Sequence, residues 1–199
     1  FRKPFLTGWN FFTTPADRSG FANLPSATRA LEPLGELDPE QILVPLGIGN
    51  HIDHVETLIA ATDWAVGRGY ADRLRFYEDF YAMSGAMRRR HSIARLHQWP
   101  RWQSPLLTAR RLAVILKTIA AARRGPEIET FLSPALRDAA WTVEPSALGE
   151  LEERKLAAIA CYVSQTRAFG GLAGITRAIR AFHARWNGAE PLWRAAPRV

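Results

Sequence analysis

The feature that most constrains this chain is an abrupt change of pattern at Gln41. Ile42-Leu43-Val44-Pro45-Leu46 is a short apolar run, preceded by Asp38-Pro39 and followed by Gly47 and Gly49. A run of that length between turn residues predicts a buried strand that ends in a sharp turn. Asn50 is a suitable cap for a helix beginning just after it. From about Ile52 to Val66 apolar side chains recur at helical spacing, with Gly67 or Gly69 as a stop. Leu74 to Tyr77 reads as a second strand. Such alternation favours an α/β fold with helices packed on a sheet. It also puts His51, Asp53 and His54 where a strand's carboxyl end meets a helix amino terminus, the region in which open α/β sheets collect ligand sites.

The flanking segments are less regular. Residues 1–40 form a loop-rich lead-in, aromatic and turn-rich (Trp9, Phe11, Phe12, Pro15, Asp17), in which only Ala27 to Leu34 suggests a helix. Residues 41–82 hold the strand–helix–strand unit, and residues 83–199 read as mostly helical. Ser104-Pro105 opens a helix that runs to Arg124 and stops at Gly125-Pro126, with Leu112, Ile115, Leu116 and Ile119 as its core stripe. Trp141 to Val143 suits a short edge strand. Ser146 opens another helix, ending near Gly170-Gly171, and a last one spans about Ala173 to Trp186. Cys161, on an apolar helix, reads as a small buried hydrophobe. Two or three strands are few for a sheet of this class, so the 199 residues read as one partial domain.

Charge and composition narrow the partners. Twenty-six basic residues against nineteen acidic leave a net charge of +7, which invites a nucleic-acid reading. Yet the only lysines are Lys3, Lys117 and Lys155, and this arginine bias reads as codon composition as much as a binding surface. No nucleic-acid partner is expected. No apolar stretch reaches the roughly 20 residues that a membrane span needs. Cys161 is the single thiol, which excludes an intrachain disulfide and suits a reducing, cytoplasmic compartment.

Pro45-Leu46-Gly47-Ile48-Gly49-Asn50-His51-Ile52-Asp53-His54 carries the chemistry. Imidazoles three apart on an early helical turn project from one face. Neutral imidazole is the commonest zinc ligand, and a nearby carboxylate can fix its tautomer. The same spacing also describes a polar helix start with two surface histidines.

Gly49-Asn50-His51-Ile52-Asp53-His54 resembles the His-x-Asp-His box of the LmbE or PIG-L family of zinc-dependent N-acetylglucosamine deacetylases. Three further segments are similar to the family's pattern in the same order. They are Phe76 to Ala82, like its Tyr-Glu-Asp strand end; Lys155 to Gln165, like its late helix ending in Ser-Gln; and Glu190 to Arg194, like its closing Glu-x-Leu-Trp-Arg. The resemblance implies a Rossmann-like LmbE-type fold, here incomplete at its amino terminus and helix-rich. It also implies a Zn2+ cofactor and a small-molecule glycoconjugate substrate that loses an N-acetyl group. His54 matches the zinc ligand, His51 the histidine that stabilises the oxyanion, and Asp53 the carboxylate that orients that histidine. The family's His-Pro-Asp-Asp box, with its other ligands and general base, is absent. About a hundred preceding residues are therefore expected, going by typical domain size.

Tyr77 and Glu78, with Asp79, are candidate substrate contacts at a strand end, or else strand-end polar residues beside a buried tyrosine. Arg88-Arg89-Arg90-His91, with Arg95, His97 and Trp99, either meets an anionic substrate or forms a solvated charged face. Gln165 is either a hydrogen-bonding group near the site or a helix-end residue. A carbohydrate-binding homologue without the metal is the alternative to the enzyme, and a basic helical nucleic-acid-binding domain the third reading. The oligomeric state is not encoded legibly.

Overall fold

The computed structural model describes residues 14–79, 85–97, 126–166 and 170–196. The expected helix over residues 104–124, with its stripe at Leu112, Ile115, Leu116 and Ile119, lies outside these, as do Trp99 and the side chain of Gln165. The fold is mixed α/β, and among the described residues four strands hydrogen-bond in the order β1–β2–β4–β3. The strands are β1 (Ile42–Pro45), β2 (Leu74–Tyr77), β3 (Ala140–Ala147) and β4 (Ala189–Ala196). The chain divides into two compact units, one of residues 1–142 with 193–199 and one of residues 143–192.

In the first unit, β1 and β2 run parallel with Ile42 opposite Leu74 and Pro45 opposite Tyr77. Parallel neighbours need a crossover, and α2 (Ile52–Gly67) supplies it. Val55, Leu58, Ile59, Ala60, Trp64 and Ala65 of this helix are all buried, so it is covered on most of its circumference. Its end is a Schellman motif. Gly69 sits at φ +75°, its N–H donates to the Val66 carbonyl (3.1 Å), and the Tyr70 N–H donates to the Ala65 carbonyl (2.8 Å). Of the two glycines expected to stop the helix, Gly69 is the one that does so.

The lead-in is more ordered than its composition suggests. Arg18–Gly20 and Glu32–Glu36 are 3-10 turns, and between them α1 (Leu24–Leu31) packs against α2. The helix begins three residues before the expected one because Pro25 serves its first turn. Val44, Leu46, Ile48, Leu74, Phe76, Ile128, Phe131 and Trp193 form the core, with Phe21 edge-on to Phe131 at 5.2 Å and Phe76 to Trp141 at 5.0 Å. α3 (Gly85–Arg90) and the short α4 (Pro134–Arg137) complete the described helices of this unit.

In the second unit, α5 (Leu151–Ala160), α6 (Val163–Thr166) and α7 (Gly171–Ala184) bury Leu156, Ile175, Ile179, Phe182 and Trp186. The helix expected from Ser146 starts later. β3 continues through Ala147, and Gly149 at φ +49° makes the turn before Leu151. The closing segment expected only as a motif is a full strand, β4. Cys161 is exposed, not buried. It caps α5, of which Leu156 is the one buried residue, so the apolar face is too narrow to cover the thiol. Among the described residues no helix is long and apolar enough to cross a membrane.

Candidate functional site

The strand–turn–helix unit brings the predicted histidines to the carboxyl ends of β1 and β2. The Leu46 N–H donates to the Tyr77 carbonyl at 2.9 Å, which extends the pairing one residue beyond β1. The chain then reverses through Gly47 (φ +78°), Gly49 (φ +83°) and Asn50 (φ 56°). Left-handed backbone favours glycine and tolerates asparagine, which accounts for the composition of this turn. With Asn50 spent on the turn, the helix cap passes to His51, whose Nδ1 accepts the Asp53 N–H at 3.3 Å. The expected Asn50 cap is therefore one residue early.

The two imidazoles lie 4.9 Å apart, centroid to centroid, at 38°. His54 Nδ1 is 3.1 Å from Asp79 Oδ2, just past the end of β2, and the Asp79 side chain is 3% exposed. These bonds assign different tautomers. A carboxylate only accepts, so His54 carries a proton on Nδ1 and, in its neutral form, a lone pair on Nε2. His51 accepts at Nδ1, so in its neutral form the proton is on Nε2. In the neutral pair one Nε2 is therefore basic and the other carries an N–H. Asp53 is half-exposed, with Oδ2 4.0 Å from His51 Nδ1.

His51, Asp53 and His54 are thus together, and Asp79 is the fourth member. The sequence alone marks Asp79 only as a substrate contact beside Glu78. The signal for its role is the parallel register, because residues just beyond two paired parallel strands come out at the same end.

Tyr77 ends β2 half-buried. Glu78 has a different setting. Its carboxylate is fully enclosed and receives Arg88 Nε at 2.9 Å, Arg88 Nη2 at 2.9 Å and Trp193 Nε1 at 3.0 Å. Arg88 also donates to the His97 carbonyl. The basic stretch is consequently not a uniform solvated face: Arg88 and His91 are buried, whereas Arg89, Arg90, Arg95 and His97 are exposed.

His91 braces the turn from behind. Its Nε2–H donates to the Leu46 carbonyl (3.0 Å) and its Nδ1 accepts the Ala94 N–H (3.2 Å). Burial is the main reason its pKa falls from 6.5 to about 4, with the Arg88 and Arg95 charges adding to the effect against the Leu46 bond.

As a zinc site the arrangement fits in part. Asp79 behind His54 is the carboxylate–histidine pairing that orients metal-bound imidazoles. Three protein ligands are needed, however, and among the described residues no group of three His, Cys, Asp or Glu could hold a metal ion. No protein-family model, curated protein or solved structure matches this chain.

Proposed function

We propose that this chain carries the histidine side of a metal-assisted deacetylase site of the LmbE or PIG-L type, in a Rossmann-like fold. The reaction is removal of an N-acetyl group from an N-acetylglucosamine-containing conjugate. The observation that supports this most directly is the buried Asp79 carboxylate on His54 Nδ1, beside His51, at the ends of two parallel strands. His54 would be one ligand of a zinc ion whose other ligands this chain does not itself supply, and the ion would provide a water of lowered pKa for attack on an amide carbonyl.

The chain's own residues do the rest. Asp79 fixes the tautomer that leaves the His54 lone pair on Nε2, and it holds the ring in place. His51 offers its Nε2–H to a developing oxyanion, an interaction that is typically worth about 3 kcal/mol in a water-poor site. Asp53 stands within charge range of His51 should that ring take up a proton. Tyr77 supplies a flat face for a sugar ring at the strand end. Glu78, enclosed by Arg88 and Trp193, serves the site by fixing that strand end from within.

Elemental analysis of the purified protein, together with acetate release from N-acetylglucosamine conjugates, tests this proposal. In protein that also carries those further ligands, the expected result is about one zinc per site and turnover, both lost on His54→Ala. Turnover that survives His54→Ala overturns the assignment. The second reading is a carbohydrate-binding homologue without the metal. In that case the same sugars bind, with neither zinc nor acetate release.

A further inference from the structure

The unit of residues 143–192 contains a second cluster of titratable side chains, apart from His51, His54 and Asp79. His183, on the last turn of α7, is 1% exposed. Its Nδ1 lies 2.6 Å from Glu152 Oε1 and its Nε2 lies 3.3 Å from Lys155 Nζ. Glu152 and Lys155 are three apart on α5 and so share a face. Lys155 Nζ also donates to Glu190 Oε1 at the start of β4, at 2.7 Å. Arg180 steadies the far side, with Nε 3.6 Å from Glu152 Oε2 and Nη2 bonded to Glu153.

The carboxylate of Glu152 only accepts, so His183 carries its proton on Nδ1 and turns the Nε2 lone pair toward the lysine. A lysine amine becomes a nucleophile when a base takes its proton, and such sites set nucleophile, base and an orienting group in a row. Lys155, His183 and Glu152 stand in that row. A plain ion pair between Lys155 and Glu190 needs neither the imidazole nor Glu152. The base is enclosed, where its hydrogen bonds are strengthened by the low dielectric. The Lys155 side chain is 31% exposed and within reach of a small molecule.

The geometry points to Lys155 as a Schiff-base lysine that condenses with a small aldehyde or ketone. The ammonium gives a proton to His183 Nε2, and the neutral amine adds to the carbonyl carbon. His183 returns that proton to the carbinolamine hydroxyl, which leaves as water while the C=N bond forms. The net change is ammonium plus carbonyl to iminium plus water, with charge conserved. Glu190 favours this chemistry over acylation. An iminium keeps its positive charge beside Glu190, whereas an amide would leave that carboxylate, 21% exposed, without its counter-charge.

The test treats the full chain with acetaldehyde and cyanoborohydride at neutral pH, with Nα-acetyl-lysine amide as internal standard and peptide mapping by mass spectrometry. Base assistance predicts that Lys155 is labelled about tenfold faster than the standard, Lys3 or Lys117. Glu152→Gln should bring Lys155 down toward the standard and leave the rates at Lys3 and Lys117 unchanged, which a general loss of structure would not do. His183→Asn should act in the same way. If it does not fold, wild type and Glu152→Gln decide between them. Labelling of Lys155 no faster than the standard in the folded wild type, or no change on Glu152→Gln, overturns the proposal.

Discussion

Acid loosens the first unit through one imidazole, and the surroundings of that ring set the size of the effect. His91 is buried with both ring nitrogens in use: Nε2–H donates to the Leu46 carbonyl and Nδ1 accepts from Ala94. Only the neutral ring satisfies both bonds, because a proton on Nδ1 would face the Ala94 N–H. The unfolded value is 6.5 and the folded value about 4. Above the first, neither state is protonated and the contribution of His91 to stability is complete. Between the two, only the unfolded chain takes up a proton, so stability falls as the pH falls. Below the second, the loss is complete. At about 1.4 kcal/mol per pH unit, the interval amounts to about 3 kcal/mol. That is a large share of the roughly 5–15 kcal/mol that holds an ordinary domain.

The assay is urea unfolding between pH 7.5 and pH 4, on wild type and on His91→Gln, whose amide can donate to Leu46 but does not titrate. The variant serves as the reference for every other acid-labile group. Wild type should be the more stable at neutral pH, and its advantage should shrink by about 3 kcal/mol by pH 4. An advantage that does not change with pH, or a His91 that titrates near its unfolded value by NMR, would refute the reasoning. Because His91 holds the carbonyl just before the turn that carries His51, acid should disturb the candidate site before the whole unit unfolds.

Two further predictions concern groups around that site. Arg88→Met leaves the enclosed Glu78 carboxylate without its counter-charge and should cost about 3–5 kcal/mol in chemical denaturation. The double variant Arg88→Met/Glu78→Gln, which keeps an acceptor for Trp193, should recover part of that, and a single-variant cost below about 1 kcal/mol would contradict the ion-pair account. In long-range proton–nitrogen NMR, wild-type His54 should carry its proton on Nδ1, and Asp79→Ala should shift it toward Nε2. An unchanged ring spectrum would mean that Asp79 does not set the tautomer.

Much of the candidate site was legible because it depends on local chemistry. The apolar run at Ile42, the glycines at 47 and 49 and the periodicity from Ile52 specify strand, turn and helix within a dozen or so residues of each position. β2 occupies the residues expected for it. The segments read less well are those in which local signals conflict. β4 alternates buried Ala189, Pro191 and Trp193 with half-buried Glu190 and Leu192, but a proline within the run argues against a strand. β3 includes the edge strand expected at Trp141 to Val143 but runs on to Ala147, where mostly exposed residues offer little alternation to mark its end. Cys161 sits among alanines and isoleucine, yet its helix presents too narrow an apolar face to cover it.

What the chain determines by itself is therefore the βαβ frame and the place of His51, Asp53 and His54 at its turn, since short-range sterics and hydrophobic periodicity act between near neighbours. Tertiary structure alone decides which polar groups find partners. Glu78 meets Trp193 across 115 positions, His54 meets Asp79 across 25, and His91 meets Leu46 across 45. A carboxylate at a strand end reads the same in sequence whether it faces solvent, a substrate or a buried guanidinium. Burial forces the choice, because a charge or polar group withdrawn from water must be matched by whatever donor or acceptor the fold brings beside it.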